Sequence, residues 1–219
     1  MLPGVEYLGY IISADGIQPS AEKVRALMEA PRPENTTQLR SFLGLLNFYN
    51  KFLPQSSTWL APLHQLLKQN AKWAWGKEQD LAFKKAQEAL LSSDVLVHYN
   101  QDLPLILECD ASPYGVGAVL SHEMEDGSTK PVSFASRSLT PTEKRYAHLD
   151  KEALAIIFGV KRFHLYLAGR KFSIVSDHRP LQYLFAETKP VPAVASAGIQ
   201  HWALTLSAYD YTIRYKPGP

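Results

Sequence analysis

Residues 105–120, LILECDASPYGVGAVL, set an apolar run against a carboxylate at its end. Read with the period of two that a strand imposes, Leu103, Leu105, Leu107 and Cys109 fall on one face and Ile106, Glu108 and Asp110 on the other. A lone buried carboxylate is costly. Asp110 must therefore be paired, hydrogen-bonded, bound to a cation, or placed where the strand end meets solvent. The glycines after it let the chain turn back into a second strand.

Downstream, Val116–Met124 and Pro131–Leu139 are joined by Glu125-Asp126-Gly127-Ser128, whose Asp-Gly pair is a hairpin signal, so three antiparallel strands are expected in sequence. Thr140-Pro141-Thr142-Glu143 then reads as a helix start, with a capping residue, a first-turn proline and a glutamate that can complete a capping box. Tyr146, Leu149, Ala153, Ile156, Val160, Phe163 and Leu167 follow at helical spacing, and Gly169 can end the helix. Lys171–Asp177 reads as a strand ending in an acid, Pro180–Phe185 as a short helix, 188–198 with Pro190 and Pro192 as a loop, Gln200–Ala208 as an amphipathic helix and Tyr211–Tyr215 as a last strand.

Upstream the chain is mostly helical. Residues 5–12, VEYLGYII, predict a strand, and Asp15-Gly16 a turn. A helix starting at Ser20 must end before Pro31 and Pro33. Asn35 or Thr36/Thr37 can cap the next, with Leu39, Phe42, Leu43, Leu46 and Phe48 at apolar spacing; Leu60, Leu63, Leu66 and Leu67 mark a third. Trp73-Ala-Trp75 precedes a fourth, Gln79 to Leu91, with Leu81, Phe83, Ala86 and Leu90 to bury.

The composition suits a globular chain: 219 residues, 46% hydrophobic and 20% charged, with a net charge of +2 and no basic tail. Any nucleic-acid contact must then come from a local patch. One cysteine excludes an internal disulfide and suggests a reducing, intracellular setting, cytoplasmic or nuclear. No secretory leader stands at the N-terminus, and no apolar run reaches the ~18 residues of a membrane helix. The abrupt beginning and the YKPGP end suggest a piece of something longer.

Three acids stand out by position: Asp110 and Asp177 at strand ends, and Glu152 on the long helix, about 100° round from Ala153 at the margin of the apolar stripe. A helix crossing the sheet there would bring three carboxylates to one point. Such a cluster repels itself unless cations intervene, and hard oxygen ligands favour Mg²⁺ or Mn²⁺. Two such ions roughly 3.5–4 Å apart can activate a water and stabilise a leaving oxygen in phosphodiester cleavage. Taken singly, an aspartate at a strand end is ordinarily a turn former or cap, and a helical glutamate ordinarily solvated. Ser112-Pro-Tyr-Gly-Val-Gly opens a strand rather than a helix, so a nucleotide-binding fingerprint is rejected; an aspartic protease pair and a serine hydrolase elbow are absent.

Residues 108–120 (ECDASPYGVGAVL), 133–146 (SFASRSLTPTEKRY), 149–163 (LDKEALAIIFGVKRF) and 176–181 (SDHRPL) together resemble the ribonuclease H domain of Gypsy-type LTR retrotransposon polyproteins. YLGYIISADGI resembles the end of the reverse transcriptase palm; RSFLGLLNFYNKFLP and WAWGKEQDLAFKKAQEAL resemble the thumb and its junction to ribonuclease H. The resemblance implies an α/β fold, a mixed five-stranded sheet with its first three strands antiparallel and flanking helices, preceded by a small thumb-like domain. It divides the chain into 1–16 (end of the palm), 17–94 (thumb-like helices) and 95–219 (ribonuclease H-like domain, truncated at its C-terminus). It places metal-binding, catalytic acids at Asp110, Glu152 and Asp177, with two Mg²⁺ as cofactor and Mn²⁺ as a substitute. The reaction implied is endonucleolytic hydrolysis of RNA in an RNA–DNA hybrid, and the implied partners are that hybrid and the remaining reverse transcriptase domains of a longer polyprotein, with no membrane.

Arg137 and His178 are candidate substrate contacts, the alternatives being a sheet-edge charge and a hydrogen-bonded structural histidine. Lys51, Lys68, Lys84 and Lys85 are candidate duplex contacts, against a solvated helix face. Trp73 and Trp75 are expected in packing rather than base stacking, and Cys109 as a small buried hydrophobe. The family's fourth acid lies in a segment that would follow Tyr215-Lys-Pro-Gly-Pro219, and Asp210 is not its stand-in. Where relatives read Arg-Ile-Gln-Arg-Trp, this chain has Gly198-Ile-Gln-His-Trp202, two cations fewer against phosphate. No Tyr-x-Asp-Asp occurs, so no polymerase site is expected. The leading expectation is a ribonuclease H; the alternative is a domesticated remnant that binds nucleic acid or protein without catalysis.

Overall fold

The structure, a computed structural model, describes residues 4–91, 95–186 and 196–217. Of the expected 188–198 loop, 188–195 with Pro190 and Pro192 lie outside the described residues, whereas Ala197 and Gly198 already belong to the following helix, capped by Ser196. Near the N-terminus, the run expected as one strand is a hairpin of β1 (Val5–Tyr7) and β2 (Tyr10–Ile12), joined by β3 (Ile17–Pro19) in a small antiparallel sheet. Leu8 and Gly9 at φ 48° and 79° make the reversal, a left-handed pair that period-two reading of VEYLGYII does not register.

Helices α1 (Ala21–Met28), α2 (Thr36–Phe48), α3 (Ser56–Trp59), α4 (Ala61–Gln65) and α5 (Lys77–Ala89) follow. Asn35 is the α2 cap, its side chain accepting the Gln38 amide at 2.9 Å. The single helix expected around Leu60–Leu67 is two short ones, with Leu60, Leu63 and Leu66 buried. Phe42 and Phe83 meet at 4.7 Å between ring centroids in a cluster with Leu39, Leu46 and Ala86. Leu81, expected in that core, is 69% exposed, because α5 turns Ala82, Phe83 and Ala86 inward instead. Phe48 is also exposed, although its ring stacks on Tyr10 at 5.2 Å. Trp73 and Trp75 pack against this cluster, as expected.

The second half holds β4 (Leu105–Ala111), β5 (Gly115–Glu123), β6 (Thr129–Ser138), α6 (His148–Arg162), α7 (His164–Leu167), β7 (Lys171–Ser176), α8 (Arg179–Leu184), α9 (Ala197–Leu206) and β8 (Asp210–Tyr215). The five strands form one mixed sheet in the order β6-β5-β4-β7-β8, antiparallel from β6 to β4 and parallel from β4 to β8. The long helix starts later than Thr140–Glu143 suggested. Those residues do form a reciprocal cap, Thr140 N to Glu143 Oε2 at 2.8 Å and Glu143 N to Thr140 Oγ1 at 3.2 Å, but it closes only a 3₁₀ turn over Glu143–Arg145. Tyr146 and Ala147 are extended, which lays the Tyr146 ring against the core near Trp202, and α6 begins at His148.

One sheet face is covered by α6, with Leu107, Cys109, Ala118, Leu120, Ile156 and Val160 buried between. The approach is close at Gly159, where an added Cβ would stand 2.8 Å from Cys109 Sγ. Cys109 is buried, the small hydrophobe expected. On the other face, Phe134 of β6 packs into the helical cluster, which also takes up Leu96, bonded through its backbone to Ile17. No helix among the described residues is long and apolar enough to cross a membrane.

Candidate metal centre

β4 and β7 are parallel neighbours, so their chains leave the sheet at the same edge, with Asp110 near the end of β4 and Asp177 just past the end of β7. α6 crosses above that edge and brings Glu152, one turn after His148, down to it. One carboxylate oxygen from each of Asp110, Glu152 and Asp177 lies within 4.8 Å of the others. Glu152 is 3% exposed, whereas both aspartates face solvent. The cluster is thus open on the aspartate side and closed on the helix side.

Electrostatics shows the cost of this arrangement. Burial first, then the charges of Asp110 and Asp177, push Glu152 up to about 8, against the favourable Ala111 backbone amide. Asp110 is raised as well, by desolvation and then by Asp177; Gln55, the Ala111 amide and His148 act the other way. Among the described residues, Glu152 Oε2 is buried without a hydrogen-bond partner. A buried, unpartnered oxygen inside a set of mutually repelling carboxylates is the environment that a divalent cation resolves, and the donors are all hard oxygens. The residues present therefore fit a divalent metal.

Around the acids, His148 Nε2 stands 3.7 Å from Glu152 Oε1, and its ring lies 5.2 Å from that of His178. Burial and then His148 lower the His178 imidazole, with Asp177 opposing. The structure thus brings His178 to the acids' side, while Arg137 is engaged elsewhere. Its guanidinium forks onto Glu143 at 2.8 and 2.9 Å and lies over Phe158 of α6. That pairing, more than the Thr140 amide, holds Glu143 down to about 2. Of the lysines expected against a duplex, Lys51 sits 3.9 Å over the Tyr10 ring and Lys85 5.7 Å from that of Trp59.

Two residues at the site escaped the sequence reading. His148 was findable, since it lies four residues before Glu152 and so on the same helix face. Gln55 was not: its side-chain amide donates to Asp110 Oδ2 from the turn before α3. Gln55 sits at φ 53°, and no local pattern in PQSSTW ties it to a strand 55 residues away.

A family described as the RNase H-like domain found in reverse transcriptase matches residues 100–209. The Tf2-3 and Tf2-4 transposon polyproteins of Schizosaccharomyces pombe are each 35% identical to the chain over 217 residues. The match takes in 98% of the chain but only 16% of either polyprotein. Among solved structures, a foamy viral protease-reverse transcriptase in complex with double-stranded DNA superposes with a TM-score of 0.79 at 23% identity, covering 99% of this chain and 38% of that one. The foamy viral protease-reverse transcriptase in complex with RNA/DNA hybrid gives 0.76 at 23%, covering 97% and 29%. At such identities the likeness concerns the fold.

Proposed function

The chain belongs to the family of RNase H-like domains found in reverse transcriptase, and from that premise we propose that it is a ribonuclease that hydrolyses the RNA strand of RNA–DNA hybrids endonucleolytically with divalent metal. The carrying observation is the convergence of Asp110, Glu152 and Asp177 with a buried, unpartnered Glu152 oxygen among them. The three residues would hold two Mg²⁺ ions, replaceable by Mn²⁺. Bound there, such ions supply an activated water and charge neutralisation at the leaving oxygen. Asp110 and Asp177 present their oxygens to the open side, where a phosphodiester can approach, and Glu152 closes the site from beneath.

His178, beside the acids, is the nearer of the two proposed substrate contacts. Arg137 reaches a phosphate only if its pair with Glu143 opens. The 2′-hydroxyl, present only in RNA, and the groove shape of the hybrid give a physical basis for strand choice. In this reading 17–94 is a thumb-like region that holds the duplex, the chain works within a longer polyprotein with other reverse transcriptase domains, and it acts inside the cell, in cytoplasm or nucleus.

The test is cleavage of a labelled RNA–DNA hybrid in Mg²⁺ or Mn²⁺. The expected result is cutting of the RNA strand only, lost on chelation and reduced to background by Asp110→Asn. An absence of cutting in both metals overturns the catalytic reading and leaves the binding module.

A further inference from the structure

Asp110 of β4, Gly117 of β5 and Ser136 of β6 are register partners, one transverse row on the sheet face opposite Cys109 and Ala118. The row is a seat for the segment that begins α3. Ser136 Oγ accepts the Ser57 amide at 3.1 Å and meets Ser56 Oγ at 2.8 Å. Gly117, with no side chain, leaves room for the Gln55 carboxamide, whose Cδ would lie 3.1 Å from a Cβ placed there. Next to Gly117, the same carboxamide donates through Nε2 to Asp110 Oδ2.

The carboxamide is held at its other end as well. An ionised Asp110 can only accept, so the amide nitrogen faces it, and the oxygen left at the other end accepts from Thr58 Oγ1 at 3.3 Å. Thr58 is anchored in turn on Ser112 Oγ at 2.8 Å, and Ser112 holds the β4–β5 turn by accepting the Gly115 amide at 3.0 Å. A carboxylate has two oxygens, each with more than one lone pair; the Gln55 amide on Oδ2, with the Ala111 backbone amide beside it, sets the rotamer in which the carboxylate meets a cation.

We propose that Gln55 is a positioning residue for the metal ligand Asp110, so that docking of the helical region on the sheet sets the metal affinity of the carboxylate cluster. This rests on the reading of the three acids as a metal centre. The amide touches neither substrate nor reacting atoms. It acts by orienting Asp110, and the hydroxyls of Thr58 and Ser112 act by orienting the amide.

The experiment is calorimetric titration of the whole chain with Mn²⁺ alone, alongside thermal unfolding without metal, for wild type, Gln55→Ala and Thr58→Val. Gln55→Ala is expected to weaken Mn²⁺ binding by about 10- to 100-fold with little change in metal-free unfolding temperature, as loss of a group orienting a metal ligand does. Thr58→Val keeps the shape and the amide but frees its orientation, and a smaller weakening in the same direction is expected. It also carries the test should Gln55→Ala fail to fold. Wild-type binding that both variants match, or tighter binding by Gln55→Ala, overturns the positioning role while leaving the metal centre standing. No binding by wild type overturns the metal centre itself, and this inference with it.

Discussion

At the scale of single residues, Glu152 shows how a functional arrangement opposes stability. Its folded value of about 8 lies above the ordinary 4.5, so between those limits the folded chain holds a proton that the unfolded chain has released. The contribution of Glu152 to metal-free stability therefore falls as pH rises from about 4.5 through about 8, and levels off above. Glu152→Gln mimics the protonated acid. In chelator its unfolding temperature is expected to match wild type near the acid limit and to exceed it increasingly toward pH ~8, with a gap that stays constant across the range counting against the assignment. The places of the three acids were legible in the sequence, two at strand ends and one at the margin of an apolar helical stripe, but each place has an ordinary alternative, and it was the family resemblance that singled the three out as a set. Gln55 was not legible. Its place depends on Gly117 lacking a side chain and on a bend at φ 53°, and neither fact has meaning until two distant segments are in contact.

At the scale of elements, the seating of α6 on the sheet turns on Gly159. Replacing a helix-interior glycine by alanine ordinarily gains about 1 kcal/mol. Here the new methyl would stand 2.8 Å from Cys109 Sγ, 3.0 Å from Ala118 Cβ and 3.2 Å from Leu107 Cδ1, atoms all held in the core. Overpacking of this kind costs about 1–3 kcal/mol, so Gly159→Ala is expected to destabilise on balance. Gly44, also within a helix but with no described residue within 4 Å of an added Cβ, is the internal control: Gly44→Ala is expected to stabilise by about 1 kcal/mol, both values read from denaturant unfolding. The same helix shows where local pattern misleads. Thr140–Glu143 makes the cap that its residues advertise, yet Tyr146, packed beside Trp202, and Ala147 are extended, and the helix is delayed to His148. A capping box reports one turn, and only tertiary packing decides whether a helix continues from it. The antiparallel run of β4, β5 and β6 was readable because turn chemistry and alternation agree there, whereas the mixed five-stranded sheet came from the family resemblance; the split at Leu8–Gly9 was not readable, since a two-residue reversal leaves the alternation looking intact.

At the scale of the whole molecule, the two apolar clusters are tied together at several points. Leu96 belongs by packing to the helical cluster although it lies on the path to β4, Phe134 reaches that cluster from β6, and the α3 segment is hydrogen-bonded to the Ser136 row. Opening one half exposes surface that the other half covers, so the chain is expected to unfold as one unit. Cys109 makes this measurable. It is the single cysteine of the chain, 7% exposed beneath Gly159, and burial pushes its thiol well above the ordinary range, so in the closed fold it is neither reachable nor ionised. Capture of this sulfur by an alkylating reagent is then a stopwatch for rare excursions of the sheet-helix layer: its rate should follow denaturant with the slope of complete unfolding, and a shallower slope would reveal a partial breathing motion that frees the sulfur while the helical half stays folded.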